Sequence, residues 1–167
     1  FLISIRLSAQ CTDARVNSVT PSLFSEFKNL EEFSNAEPEK IEPYIYPCGF
    51  YKIKSCDIVN MCKIIKNEFG GKIPDNLTDL ISLPGIGRKT ANLFLGEIFN
   101  KPGIVVDTHF IRITKRLGFH CSKNALKIEK IMENLIPPPE MLKFCHRIIA
   151  HGRKVCTARS PKCSECC

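Results

Sequence analysis

The sequence predicts an all-α fold built as two helical lobes that face each other. Three observations lead there. Apolar residues recur at three- and four-residue spacing through most of the chain. The periodic segments open on cap residues such as Thr12 and Asp107 and close on Gly or Pro. The β-branched run Gly103-Ile104-Val105-Val106 is only four residues long and serves best as an extended link into Asp107. A length of 167 residues suits one substantial core or two small helical lobes sharing an interface.

The chain opens Phe1-Leu2-Ile3 in what reads as mid-helix and without an initiator Met, so a missing leading segment is expected. Thr12 caps a helix over 12–28, with Val16, Val19, Leu23, Phe24 and Phe27 at helical spacing. Pro21 is expected to bend or interrupt it. A second long helix, 51–69, sets Ile53, Cys56, Met61, Ile64 and Ile65 near one face and stops at Gly70-Gly71. A short helix over 76–82 leads into a glycine turn, and a helix over 88–99 follows it. Asp107 begins another, which runs through Ile111, Ile113 and Leu117 to Gly118. Helices at 124–135 and 139–151 are separated by the rigid Pro137-Pro138-Pro139 stop.

Composition narrows the function. At 44% hydrophobic and 25% charged residues, the chain is ordinary for a folded soluble domain. It has no apolar run of membrane-spanning length and no visible secretory signal. Net charge is +7, unevenly spread: residues 1–83 balance to −2 and residues 84–167 to +9. Binding to a polyanion favours such asymmetry, and so does a merely solvated basic face. Ten cysteines without a secretion signal argue against a disulfide scaffold. Cys11, Cys48, Cys56, Cys62, Cys121 and Cys145 read as small core residues, whereas four more crowd into the last twelve positions.

Residues 83–92, Leu-Pro-Gly-Ile-Gly-Arg-Lys-Thr-Ala-Asn, form a tight Gly-x-Gly hairpin opening directly into a helix. Glycines let the backbone turn sharply and approach a ligand. The helix start offers unpaired N–H groups at the positive end of the dipole, a site suited to a DNA phosphate. Lys89 lies just inside that helix, and Asp107 follows eighteen residues later. An amine and a carboxylate beside a phosphate grip suggest chemistry on DNA rather than adhesion alone. The plainer alternatives are a helix–helix turn at Gly85 and Gly87, a solvated Lys89, and an Asp107 that simply caps a helix. Capping and catalysis by Asp107 are compatible, because a cap would fix the carboxylate's position.

Four motifs in order, Leu7-Ser8-Ala9-Gln10-Cys11-Thr12-Asp13, Leu83 to Asn92, Val105-Val106-Asp107-Thr108-His109 and Cys156-x6-Cys163-x2-Cys166, resemble the endonuclease III family of DNA glycosylase/lyases. The resemblance spans essentially the whole chain. It implies a helix–hairpin–helix glycosylase architecture with two lobes around a central cleft. Residues of about 12–118, with hairpin 83–92, would form one lobe, 1–11 and 119–155 the other, and 156–167 a partial iron–sulfur loop.

The implied function is base-excision repair: removal of oxidised pyrimidines from duplex DNA and β-elimination at the abasic site. Lys89 would be the nucleophile that forms a Schiff base, needing a lowered pKa that a helix start and partial burial favour. Asp107 would stabilise positive charge on the sugar and assist proton transfer. Gln10 would plug the gap left by an extruded base, and Phe50, where the family often has Leu, would wedge from the opposite side. Either could instead be a loop residue packing on the core. Gly85, Ile86, Gly87, Arg88, Thr90 and His109 would contact DNA, with Arg153, Arg159 and Lys162 presented to phosphates by the cysteine loop.

Cys156, Cys163 and Cys166 would ligate a structural [4Fe–4S] cluster, with zinc the alternative. The family's fourth cysteine would fall five residues past Cys167, which is a poor substitute because adjacent cysteines rarely reach two corners of one cluster. The implied partner is double-stranded DNA carrying damaged bases or abasic sites, bound by a monomer with no membrane association. Location would be cytoplasmic, with a nuclear or mitochondrial copy also compatible. The competing functions are a monofunctional mismatch or adenine-type glycosylase, against which Lys89 speaks, and a non-catalytic helix–hairpin–helix DNA-binding module.

Overall fold

Side-chain caps set where five of the ten α-helices among the described residues begin. Thr12 Oγ1 accepts from the Arg15 amide at 3.4 Å and starts α2 (Asp13–Glu26). Asn29, Asn76 and Asn124 do the same for α3 (Leu30–Asn35), α6 (Leu77–Ser82) and α9 (Ala125–Leu135). Each takes up one of the donors that a helix start leaves without an internal partner. The computed structural model describes residues 1–166. Among them the chain is helical, with α1 (Leu2–Ser8), α4 (Pro38–Ile45), α5 (Tyr51–Glu68), α7 (Arg88–Phe99), α8 (Thr108–Arg116) and α10 (Met141–Lys154) completing the set. No strand occurs among the described residues, and no helix there is long and apolar enough to cross a membrane.

The predicted helices are present, with informative differences. Pro21 does not interrupt α2. Pro21 and Asn17, whose carbonyl loses its donor, both lie on the exposed side. Helices α3 and α4 escaped the sequence reading because they are six and eight residues long, and α4 carries prolines at both Pro38 and Pro43. The third proline of the stop belongs to a 3₁₀ turn, Pro138–Glu140, so the last helix begins at Met141 and runs on to Lys154.

The buried face of α5 needs correction. Met61 and Ile65 are buried as expected, but Ile53 is 60% exposed and Cys56 is exposed. The stripe turned inward runs through Lys54, Ile58, Met61 and Ile65, one residue round from Ile53. Of the six cysteines read as core, Cys48, Cys62 and Cys145 are buried and Cys11 is half-buried, whereas Cys56 and Cys121 are exposed.

Two compact units make up the chain, Phe1–Thr90 and a second from Ala91 onward. The core of the first gathers Leu7 from α1, Leu23 from α2, Phe33, Ile41 and Ile45 from α3 and α4, and Ile58 from α5. Phe27 and Phe33 stack there with ring centroids 5.1 Å apart. The second is built on the extended link 103–106 and on Phe110, Ile113, Ile128, Met132, Cys145 and Ile148. Each Leu, Ile, Phe or Met among them, fully buried, contributes about 1.5–3 kcal/mol.

Candidate active site and nucleic-acid interface

In the first unit the glycine hairpin joins α6 to α7. The Ile86 amide donates to the Leu83 carbonyl at 3.1 Å, and both side chains are buried, which anchors the turn from beneath. Ile86, expected to touch DNA, therefore has only its backbone to offer. Gly85 has φ of +73°, and a Cβ there would come within 2.7 Å of Asp57 Oδ2 and clash with Arg6. The hairpin thus rests on the Arg6–Asp57 ion pair, in which both Nη2 (2.6 Å) and Nε (2.8 Å) donate to one carboxylate oxygen. This support was not legible from the motif, because Arg6 and Asp57 lie far from it in the sequence.

Gly87, Arg88 and Lys89 are exposed and Thr90 is half-buried. Lys89 is the second residue of α7. The partial burial expected of its amine is not found. The stripe that α7 buries begins at Ala91, and a residue two positions earlier falls on the far side of the helix.

Gln10 and Phe50 come together in this unit. With Arg6, Ala9, Ile53 and Lys54 they line a cavity of about 190 Å³. Both are exposed, Phe50 by 61%, so neither packs as a core residue. Both also have positive φ, +54° and +50°, a region that side chains without an amide or carboxyl on Cβ seldom occupy. Sequence reasoning missed Lys54 beside them. It is 1% exposed, and its Nζ donates to the carbonyls of Leu7 (2.8 Å) and Cys48 (3.0 Å).

In the second unit Asp107 caps α8: Oδ1 accepts from the Phe110 amide at 2.7 Å. The carboxylate is half-buried and keeps acceptor capacity on its other lone pairs. The link leading to it is fixed from two sides. Asn92 Nδ2 donates to the Ile104 carbonyl (3.0 Å) and to Glu129 Oε1 (3.1 Å), while the Val105 amide donates to Cys145 Sγ (3.2 Å). Burial pushes the Cys145 thiol up to about 11, helped by the charge of Asp107 and opposed by the Val105 bond. His109, another expected DNA contact, is half-buried with Nδ1 3.2 Å from Arg112 Nη2.

Helix α8 also holds the cysteine loop. Arg116 Nη1 donates to Cys156 Sγ (3.1 Å) and to the Thr157 carbonyl (2.9 Å). Arg112 Nη2 donates to the Gly152 (3.1 Å) and Cys156 (2.8 Å) carbonyls. The loop is closed where the Lys162 amide meets the Val155 carbonyl at 3.0 Å, one residue before Cys156 and one before Cys163. Cys163 and Cys166 are exposed, and Cys166 Sγ lies 3.7 Å from His151 Nε2. Arg153, at the end of α10, and Arg159 and Lys162, within the loop, are exposed.

Three soft sulfur donors in a cationic setting fit the chemistry of a thiolate-bound iron–sulfur or zinc group. Among the described residues, however, no three potential ligands are gathered around one point. Cys167, the doubtful fourth donor, lies outside the described residues.

The family model for the HhH-GPD superfamily base excision DNA repair protein matches residues 3–138. The chain is 42% identical over 166 residues to the endonuclease III of Synechocystis sp., covering 99% of this chain and 76% of that protein. It superposes with a TM-score of 0.93 and 40% identity on an endonuclease III in a non-covalent complex with DNA, covering 99% of this chain and 78% of the other. The same values hold for an endonuclease III trapped as a covalent intermediate with DNA.

Proposed function

Because the chain belongs to the endonuclease III family within the HhH-GPD superfamily, we propose that it excises oxidised pyrimidines from duplex DNA with Lys89 as nucleophile and Asp107 as its partner. The broader function, a base-excision DNA glycosylase and abasic-site lyase acting on damaged duplex DNA, follows from the family. The observation that most supports the assignment to residues is the hairpin itself. It delivers an exposed amine on the first turn of a helix, the end of a helix that suits an anion.

Hairpin amides at Gly85 and Gly87 hold a backbone phosphate without reading sequence. The uncharged Lys89 amine attacks C1′ of the extruded nucleoside. The C1′–N glycosidic bond breaks, and the base departs with its electron pair and takes up a proton. The carboxylate of Asp107 stabilises positive charge building on the sugar and relays a proton from the attacking amine. Ring opening leaves a Schiff base between Nζ and C1′. Loss of a C2′ proton then expels the 3′ phosphate by breaking the C3′–O bond, and water releases the lysine.

Gln10 and Phe50 occupy the hole left in the base stack. Cys156, Cys163 and Cys166 would hold a [4Fe–4S] cluster, or zinc as the alternative, as a brace that presents Arg153, Arg159 and Lys162 to phosphates. No chemical step passes through it.

Borohydride reduction during incubation with abasic duplex DNA tests the assignment. A covalent adduct that is lost in Lys89→Gln, with DNA binding retained, is the expected result. No adduct despite normal DNA binding would support a monofunctional glycosylase or a plain binding module. Asp107→Asn is expected to slow base release while leaving DNA affinity nearly unchanged, and iron content with visible absorbance distinguishes cluster from zinc.

A further inference from the structure

We infer that Lys54 is a positioning residue for base extrusion: its ammonium ties together the two loops that carry Gln10 and Phe50 and holds both side chains poised to enter the stack. The inference rests on the proposed gap-filling roles of those two residues.

Lysine is almost never fully buried, yet Lys54 is, and it spends donors on two backbone carbonyls 41 positions apart in the sequence. Leu7 lies in the last turn of α1, where helix carbonyls lack internal partners. Cys48 ends the 3₁₀ turn Tyr46–Cys48. One cation therefore serves two helical C-termini, the ends whose dipoles favour positive charge. Three residues after Leu7 comes Gln10, and two after Cys48 comes Phe50, each at positive φ. Among the described residues the other non-glycine at positive φ is Asn100, an amino acid that tolerates that region; glutamine and phenylalanine do not.

Backbone strain of this kind persists only where the surroundings over-determine it. Lys54 supplies that constraint by fixing both approaches from one nitrogen. Arg6 and Asp57 pin the same two helices, α1 and α5, less than a turn away from these contacts along each helix, and they also back the hairpin at Gly85. The phosphate grip and the two gap-filling side chains are thereby referenced to one frame within the first unit. With Nζ enclosed and both carbonyls satisfied by it, Lys54 is not itself available to attack substrate.

The test compares single-turnover base release from two duplexes carrying one oxidised pyrimidine. In one the lesion is fully paired; in the other it sits in a short mismatched bubble, where extrusion is largely complete beforehand. Lys54→Met should slow release from the paired duplex about tenfold and from the bubble about twofold or less, and Lys54→Arg should restore most of the difference. Equal slowing on both duplexes would reduce Lys54 to an ordinary stabilising residue and overturn the inference. If melting shows that Lys54→Met does not fold, the same ratio is read on Lys54→Gln, which keeps an uncharged amide donor. Gln10→Ala and Phe50→Ala run in parallel. If neither changes the ratio, the gap-filling roles fail; if they change it and Lys54 variants do not, the tether alone fails.

Discussion

Asn92 offers the sharpest probe of how the candidate carboxylate is held. Its side chain is 5% exposed and bridges the Ile104 carbonyl to Glu129, itself 4% exposed. Asn92→Ala removes both donors at once. The buried Ile104 carbonyl then stands without this partner, a loss of about 1–3 kcal/mol, and the donor to Glu129 adds about 1.5 kcal/mol. Together they predict a loss of about 2.5–4.5 kcal/mol against a total stability of about 5–15 kcal/mol. In urea denaturation with an m-value of about 2 kcal/mol/M, the midpoint should fall by about 1.2–2.2 M with m unchanged.

Asn92→Asp should be worse than Asn92→Ala, since it sets a carboxyl against Glu129 Oε1 where an amide donated at 3.1 Å. Adding Glu129→Gln should recover part of that loss by restoring a donor. A cost below about 1 kcal/mol for Asn92→Ala, or an Asn92→Asp variant no less stable than it, would falsify the claim that this amide fixes the link into Asp107.

Four further outcomes are expected. Gly85→Ala, strained at φ of +73° and driven against the Arg6–Asp57 pair, should lose about 1–3 kcal/mol and weaken duplex binding in a titration. Gly152→Ala places a Cβ 2.6 Å from Ile113 Cδ1 and 3.1 Å from His109 Cβ, so overpacking between α8 and α10 should lower stability by about 1–3 kcal/mol in thermal melting. Burial raises the Cys62 thiol to about 12 and Cys145 to about 11, from 9.0. Below pH 9 folded and unfolded chains both keep these protons; above it the unfolded chain releases them first, so stability should fall by up to about 1.4 kcal/mol per pH unit for each thiol, from pH 9 to about 11 for Cys145 and to about 12 for Cys62. At pH 8 a thiol reagent should modify Cys56 and Cys121 quickly and reach Cys62 and Cys145 only on unfolding, and equally fast labelling of Cys145 would contradict its burial.

The helical class, most helix limits and the ordered motifs can be read directly along the chain. These are local properties: a period of 3.6, a capping side chain, and a glycine where the chain must turn are all written within a few residues of where they act. The chemistry proposed for Lys89 and Asp107 was legible for the same reason, since each stands in a short motif at an element's start. Gln10 and Phe50 could be named by resemblance, but not their positive φ or their shared cavity.

Tertiary structure alone decided which way α5 faces, and so that Lys54 is buried and Ile53 is not. It also decided that Cys56 and Cys121 stay outside the core, that Lys89 is exposed, and that Asn92, Glu129 and Cys145 secure the approach to Asp107. Those partnerships join residues 12 to 40 positions apart. Periodicity cannot reveal them, because a buried polar group is positioned by whichever distant donor or acceptor offsets its loss of water.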